Sequence, residues 1–370
     1  MKLPLMGVIN LIHETEEMGA LTAGRCLATV PFGGRYRLID FVLSSMVNSG
    51  ISNVSVFAHT KFRSLMDHLG SGSNWDLHRK QQGLFVLPPA IEDQTDFGKG
   101  DLYHFWRHRD YFKRSEHEYV VIARSHIVCN IDFGAVLAFH QARGADITVV
   151  CKRWPGARTG LVRKARLDES GRITEMQDHF GRLASEVVSM EMYVLGKELL
   201  VDLVETSLAQ GKDHFVRHAV LSRLGELNVS AYLHEGYLGV VNSIPAYYRH
   251  SMELLDQQVW KELFFEPGSV LTKVKDEPPT RYRSRAAVVQ SLVANGCEID
   301  GEVYNSILFR GVKIRKGAVV RNSIVMQNGI VGEGGMLENC ILDKEAEIRP
   351  LQQLKGSPDM PFLAAKRHVI

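Results

Sequence analysis

From its start to about residue 240, the chain alternates short β-branched apolar runs with stretches whose apolar residues recur every three or four positions. That is the signature of a largely parallel sheet with helices on both faces. GVINL from Gly7, NVSVFA from Asn53, YVVIA from Tyr119 and DITVVC from Asp146 predict buried strands, and the spacing over Ile39–Val47 and Phe133–Arg143 predicts crossover helices. The turn cluster Asp168–Gly171 joins Leu161–Leu167 to Arg172–Met176 as an antiparallel hairpin, so the sheet is expected to be mixed and mainly parallel. From Pro245, PAYYRHSMELLDQQVWKELF keeps the helical spacing with proline at the first helical position, which predicts one helix leaving the large domain.

Beyond the charged, proline-containing linker KVKDEPPTRYR, the texture becomes periodic. Asn305-Ser306-Ile307 recurs as Asn322-Ser323-Ile324 and as Asn339-Cys340-Ile341, 17 positions apart each time, and Gly317-Ala318 is echoed by Gly334-Gly335. A repeat near three hexapeptides suits a triangular parallel β-helix, in which small residues turn corners and aliphatic ones stack inward. An irregular β-sandwich is the weaker reading of the same pattern. Such a stack has an open end that calls for a cover or a neighbouring subunit. The organisation is therefore a domain over 1–245, a connecting helix and linker over 246–284, and a repeat domain with its tail over 285–370.

Composition narrows the function classes. A chain of 370 residues exceeds one ordinary core, and its 45% apolar and 23% charged residues are those of a globular protein. A formal net charge of +2 with interspersed signs gives no footprint for nucleic acid or an anionic membrane. Five scattered cysteines without a C-x-x-C pair fit neither a disulfide framework nor a zinc site, so a reducing cytoplasm is the expected location. The opening MKLPLMGVINLI is too short for a secretory segment and reads as a buried strand.

The segment from Leu21 to Ile51, LTAGRCLATVPFGGRYRLIDFVLSSMVNSGI, resembles the N-terminal signature of bacterial ADP-glucose pyrophosphorylases, the glucose-1-phosphate adenylyltransferases. VSMEMYVL from Val188, GYLGVVNSIPAYY from Gly236 and PPTRY from Pro278 extend the likeness over nearly the whole chain. The resemblance implies a Rossmann-like nucleotidyltransferase domain followed by a left-handed parallel β-helix. It also implies descent from enzymes that make ADP-glucose and pyrophosphate from ATP and glucose-1-phosphate with Mg²⁺.

Position by position, the residues that do this work in the family are missing. Where the family has a glycine-rich phosphate loop, GGxGTRL, this chain has Ile12 to Met18, so His13 replaces a glycine and Glu17 replaces the arginine, with Glu14 and Glu16 adding negative charge. Backbone N–H groups cradle phosphates only where side chains stay clear, and like charges repel a polyanion. The two aspartates that hold Mg²⁺ correspond to Ser125 and Val240, neither of which supplies the charged oxygen that Mg²⁺ demands. A lysine near the phosphates becomes Leu27, the sugar-phosphate lysine aligns with His179, and the glycine of the family's SMG becomes Glu191. If the metal contributes on the order of 4 kcal/mol, its loss alone slows the reaction roughly a thousandfold.

The resemblance thus implies no catalytic, substrate-binding or metal residue in this chain, with Mg²⁺ expected only in a catalytic partner. Arg35 stands where the family has a basic residue near its effector site, and Arg37 lies two beyond. One reading is that they grip a phosphorylated metabolite bidentately; the other is a local ion pair, with Arg37 bracing Asp40. His13 and His126 read as packed or solvated histidines before general bases, and the Glu14–Glu17 run reads as a solvated face before a metal site. Trp75, after the turn GSGSN, packs on its own domain or meets a partner.

The pattern resembles the GlgD type of subunit: a non-catalytic regulatory or structural component that works with a catalytic GlgC-type homologue, as a heterotetramer, in glycogen biosynthesis. Two alternatives stay open, a competent adenylyltransferase with an atypical site and a sugar-phosphate or nucleotide sensor. A hexapeptide-repeat acyltransferase is disfavoured because the strongest signature lies in the other domain.

Overall fold

The structure is a computed structural model and describes residues 3–13, 18–89, 98–154, 162–177 and 183–370. The expected runs become strands and three more join them: β1 (Leu5–Asn10), β2 (Asn53–Phe57), β3 (Gly83–Leu87, not expected), β4 (Tyr119–Ala123), β5 (Ile147–Arg153), β6 (Lys164–Leu167), β7 (Ile173–Gln177), and the further unexpected β8 (Val187–Gly196) and β9 (Val229–Leu233). Among the described residues they form one sheet in the order β7-β6-β8-β4-β1-β2-β3, with β8 also pairing β5, and β5 pairing β9. The block β3-β2-β1-β4 is parallel, whereas β8 runs antiparallel to β4, β5 and β6. The mixed sheet expected from the hairpin is therefore present, with β6 and β7 antiparallel.

The crossover helices form where spacing and caps agree. In Leu38–Asn48 the Asp40 carboxylate accepts the Arg37 N–H at 3.0 Å, while Ile39, Val42, Leu43 and Met46 bury against Leu5 and Ile9 of β1. Phe133–Arg143 is capped by Asp132, which accepts from Gly134 N at 2.7 Å, and it ends at Gly144 in the left-handed region. Trp75 is fully buried in its own domain, as the packing alternative for that loop held.

The single helix expected from Pro245 is instead two, Ile244–Glu253 and Gln257–Phe264. Ser243 caps the first, accepting from Ala246 N at 3.3 Å, and Asp256 caps the second, accepting from Gln258 N at 2.7 Å. A good N-cap residue in mid-pattern restarts the helix, which periodicity alone does not reveal. Nor do these helices lead away from the domain. Leu254, Leu263 and Phe264 share one core with Phe32, Tyr36 and Phe41.

The tail is a left-handed parallel β-helix of three five-stranded faces. Ile307, Ile324 and Ile341 stack in register and are fully buried. Ser306 and Ser323 each accept, through the side-chain oxygen, the N–H of the residue 17 positions on, at 3.0 and 3.1 Å. Asn305, Asn322 and Asn339 turn the corners at positive φ, which asparagine tolerates better than most residues.

One face of this stack packs on the large domain: Ile307, Phe309, Ile324, Met326 and Ile341 join the core of Phe32 and Tyr247. A buried ion pair, Arg25–Asp343, and the Tyr248 hydroxyl on Asn322 O tie the two together. Gly34 has φ +82°, and a Cβ there would lie 2.6 Å from Leu292 Cδ2 on the stack. Gly34→Ala therefore combines backbone strain with an interdomain clash and should cost about 1–3 kcal/mol, measurable by urea denaturation. An unchanged midpoint would show that this contact yields freely.

Candidate functional site

In open α/β sheets, ligands bind beyond the carboxyl ends of the strands. At that edge here, β1 ends in Asn10 and continues to Ile12 and His13, while β4 ends in Ala123 and continues to Arg124, Ser125 and His126. The short strand Gly239–Val240 pairs antiparallel with Ile127–Val128, and Val241 N donates to His126 O at 2.9 Å. This two-stranded ladder sets Val240 opposite Ile127, two residues beyond Ser125. Ser125 is 0% exposed and Val240 5%. The two positions that the resemblance assigns to Mg²⁺ ligands are brought together, yet they present a hydroxyl and an isopropyl group. The acids nearest in this network, Asp101 and Glu191, are held by arginine.

Arg124 is the centre of that arrangement. Its guanidinium donates to Ile12 O, lies 3.6 Å from Asp101 Oδ2, and approaches Glu191 Oε2 to 3.4 Å. Asp101, fully buried, also accepts from Asn10 Nδ2 at 2.9 Å and from Phe215 N at 2.6 Å. Glu191 extends to Arg163 at 3.5 Å, so one carboxylate bridges two largely buried arginines. It does so from a bulge of β8, where the register shifts between Ser189 and Met192 and Glu191 itself has φ +52°. A side chain at positive φ in mid-strand is strained, a conformation that suits the glycine which the resemblance places here. The site is thus neutralised from within, and Mg²⁺ does not fit its described residues.

The other positions named from the sequence add no reactive group. Leu27 is buried and lines a hollow with His13, Arg25, Cys26 and Lys61. Lys61 Nζ donates to Thr22 O at 3.0 Å, and Arg25 is committed to Asp343. His13 stacks on His214 with ring centroids 5.1 Å apart, and burial lowers its pKa. Burial also pushes His126 down to about 4, so it is a neutral packed ring at physiological pH. Glu14, Glu16, Glu17 and His179 lie outside the described residues.

A second site lies where the FGG turn meets the β-helix. Arg35, Arg37, Lys273, Lys275, Arg310 and Lys344 all line one crevice with Tyr36 and Phe309. Among the described residues none of these six cations makes a salt bridge. Arg35 is exposed, donates to Tyr36 Oη at 3.0 Å and lies over that ring at 5.1 Å. Arg37 donates to Ser64 O at 2.8 Å; its main-chain N–H, not its guanidinium, meets Asp40. The carboxylate of Asp40 is already held by His68 and Thr272, each at 2.6 Å. Burial, with Arg37 and Arg25 nearby, pushes the Lys344 amine down to about 7. Six cations without a salt bridge around a concavity attract anions, with Glu277 acting on Lys275 and Arg310, and Asp40 on Arg37 and Arg310, only from longer range. Lys273, Lys275, Arg310 and Lys344 were not legible from the sequence, because they come from the linker and from two turns of the repeat.

The geometry defines a nucleotidyltransferase fold, and comparison with known proteins agrees. The chain belongs to the nucleotidyl transferase family, whose model matches residues 18–244, and a GlmU-like C-terminal hexapeptide model matches 278–356. It is 41% identical over 363 residues to the glycogen biosynthesis protein GlgD of Bacillus subtilis, and 44% identical over 387 residues to that of Geobacillus stearothermophilus. Each match covers 98% of this chain and 96% of the relative. The glucose-1-phosphate adenylyltransferase of Halalkalibacterium halodurans is 31% identical over 318 residues, covering 85% of this chain and 83% of that protein. Among the described residues no helix is long and apolar enough to cross a membrane.

The buried histidines carry a pH dependence. Burial holds His126 and His104 near 4, against 6.5 for the free side chain, so the unfolded chain binds more protons between these values. The stability these neutral rings provide is present above pH 6.5 and is lost as pH falls toward 4. Thermal midpoints taken from pH 7.5 down to 4.5 should drop through that window, with a shallower fall for His126→Gln; a flat profile would contradict the assignment.

Proposed function

We propose that this chain is a non-catalytic regulatory subunit in ADP-glucose synthesis for glycogen, acting with a catalytic GlgC-type homologue in a heterotetramer and binding a phosphorylated metabolite in the cation-lined crevice. The observation that carries the reading is the pairing of Arg124 and Arg163 with Glu191, beside Ser125 and Val240. Nucleotidyl transfer depends on positioning and on neutralising phosphate charge. A cleft whose arginines are spent on its own carboxylates offers neither.

The six cations of the crevice support the regulatory half. They are drawn from both domains, so an anion bridging them favours one relative placement of the domains over another. A differential affinity of that kind is what an effector needs in order to shift a partner's activity. The same crevice also supports the reading of the chain as a metabolite sensor, which needs no partner.

ADP-glucose synthesis should be assayed for this chain alone, for the catalytic homologue alone and for the two mixed. The expected results are near-zero turnover for the first and an altered rate or effector response for the third. Mg²⁺-dependent turnover by the isolated chain would overturn the reading, and an unchanged mixture would favour the sensor. Restoring Ser125→Asp and Val240→Asp together should raise the rate of the isolated chain less than about tenfold, because Glu191 still neutralises the arginines. Recovery approaching the homologue's rate would show that the metal ligands alone were limiting.

A further inference from the structure

The crevice contains one group whose chemistry differs from the rest. Lys344 follows strand Cys340–Leu342 of the β-helix, and its main-chain N–H donates to Asp343 Oδ1 at 2.7 Å. Asp343 is fully buried and pairs with Arg25. The adjacent carboxylate is therefore already spent on a guanidinium. The charged groups facing the Lys344 amine are the cations Arg37, Arg25 and Lys275 and the neighbouring carboxylates of Asp343 and Glu345, of which Asp343 pairs with Arg25 and Glu345 with Arg367.

We propose that Lys344 is an acylation site, at which an acyl phosphate held through its phosphate by the cations of the crevice transfers its acyl group to the lysine amine. The proposal rests on the crevice's being an anion site and goes further in naming a reaction there. The amine lone pair attacks the acyl carbonyl carbon. A C–N bond forms, the C–O bond to phosphate breaks, inorganic phosphate leaves with that electron pair, and the proton released from nitrogen passes to water. The product is a neutral amide, with no oxidant or further co-reactant required. Only a free amine is nucleophilic, and an ordinary lysine with a pKa of about 10.4 is roughly 0.1% free base at pH 7.5. Burial among cations holds Lys344 near 7, so most of it is free at that pH. Arg35, Lys275 and Arg310 supply the charge that concentrates the donor and stabilises the leaving phosphate.

Acylation also acts on the crevice itself. Unmodified Lys344 can still take up a proton and add a positive charge to the crevice. The amide cannot be protonated, and the modified chain binds phosphorylated anions more weakly.

The full chain should be incubated with acetyl phosphate at pH 7.5 and its lysines mapped over time by mass spectrometry, with exposed Lys366 as the internal reference. Lys344 should be acetylated at least tenfold faster than Lys366. Excess inorganic phosphate should slow Lys344 and leave Lys366 unchanged, as should Arg310→Gln. Equal rates at the two lysines would overturn the proposal, and calorimetry with inorganic phosphate on the unmodified chain separates the causes. Phosphate binding without selective acetylation sinks the acylation step alone. Selective acetylation that phosphate neither slows nor accompanies with binding sinks both the anion-directed step and the anion crevice on which it rests.

Discussion

The contact between the Arg124 guanidinium and the carboxylates of Asp101 and Glu191 decides the character of the large domain. Charges removed from water are tolerated only when they are paired, and at this edge of the sheet every arginine described finds a partner within the chain. The result is a cleft that is structurally complete without a ligand. A nucleotide or sugar phosphate entering it would have to separate those pairs, leaving a buried carboxylate opposite its own phosphate. The backbone that makes this possible is strained, since Glu191 holds a positive φ inside a strand.

The crevice beside the β-helix follows the opposite rule. Six cations converge there without salt bridges among the described residues; Asp40 is tied up by His68, Thr272 and the Arg37 main chain and Asp343 by Arg25, while Glu277 acts on Lys275 and Arg310 from beyond salt-bridge distance. Charge is thus paired at the carboxyl edge of the sheet and left without salt bridges, among the described residues, where the two domains meet. Arg25 connects these two regions. It lines the hollow shared with His13 and Leu27, and it reaches across to Asp343, the residue next to Lys344. A change in either region meets the same buried ion pair.

Much of the fold was legible before any coordinates. The runs at Asn53, Tyr119 and Asp146 and the helix over Phe133–Arg143 lie within a residue or two of their elements, because apolar periodicity and caps are local properties that survive tertiary packing, whereas Gly83–Leu87 and Val229–Leu233 were not singled out. The 17-residue recurrence read out the β-helix because identical coils need identical corner and core residues. The pattern after Pro245 was misread as one helix, since an N-cap such as Asp256 interrupts a helix without disturbing its apolar spacing. At the candidate site, the losses at Leu27, Ser125 and Val240 were visible as residue types, and Glu191 as an intruding acid. That Glu191 is partnered by Arg124 and Arg163 was not visible, because those arginines lie 67 and 28 positions away and even Arg124, beside Ser125 in its motif, carries no mark of its partner.

The sequence by itself determined most of the strand and helix runs, the repeat domain and the residue types at Ser125 and Val240, since each is a property of single residues or short periods. Only the tertiary structure decided which charges neutralise one another and which stay unpaired. Pairing is set by distances of a few ångströms between residues far apart in the chain, and linear order carries no record of those distances until the sheet and the coil stack have packed together.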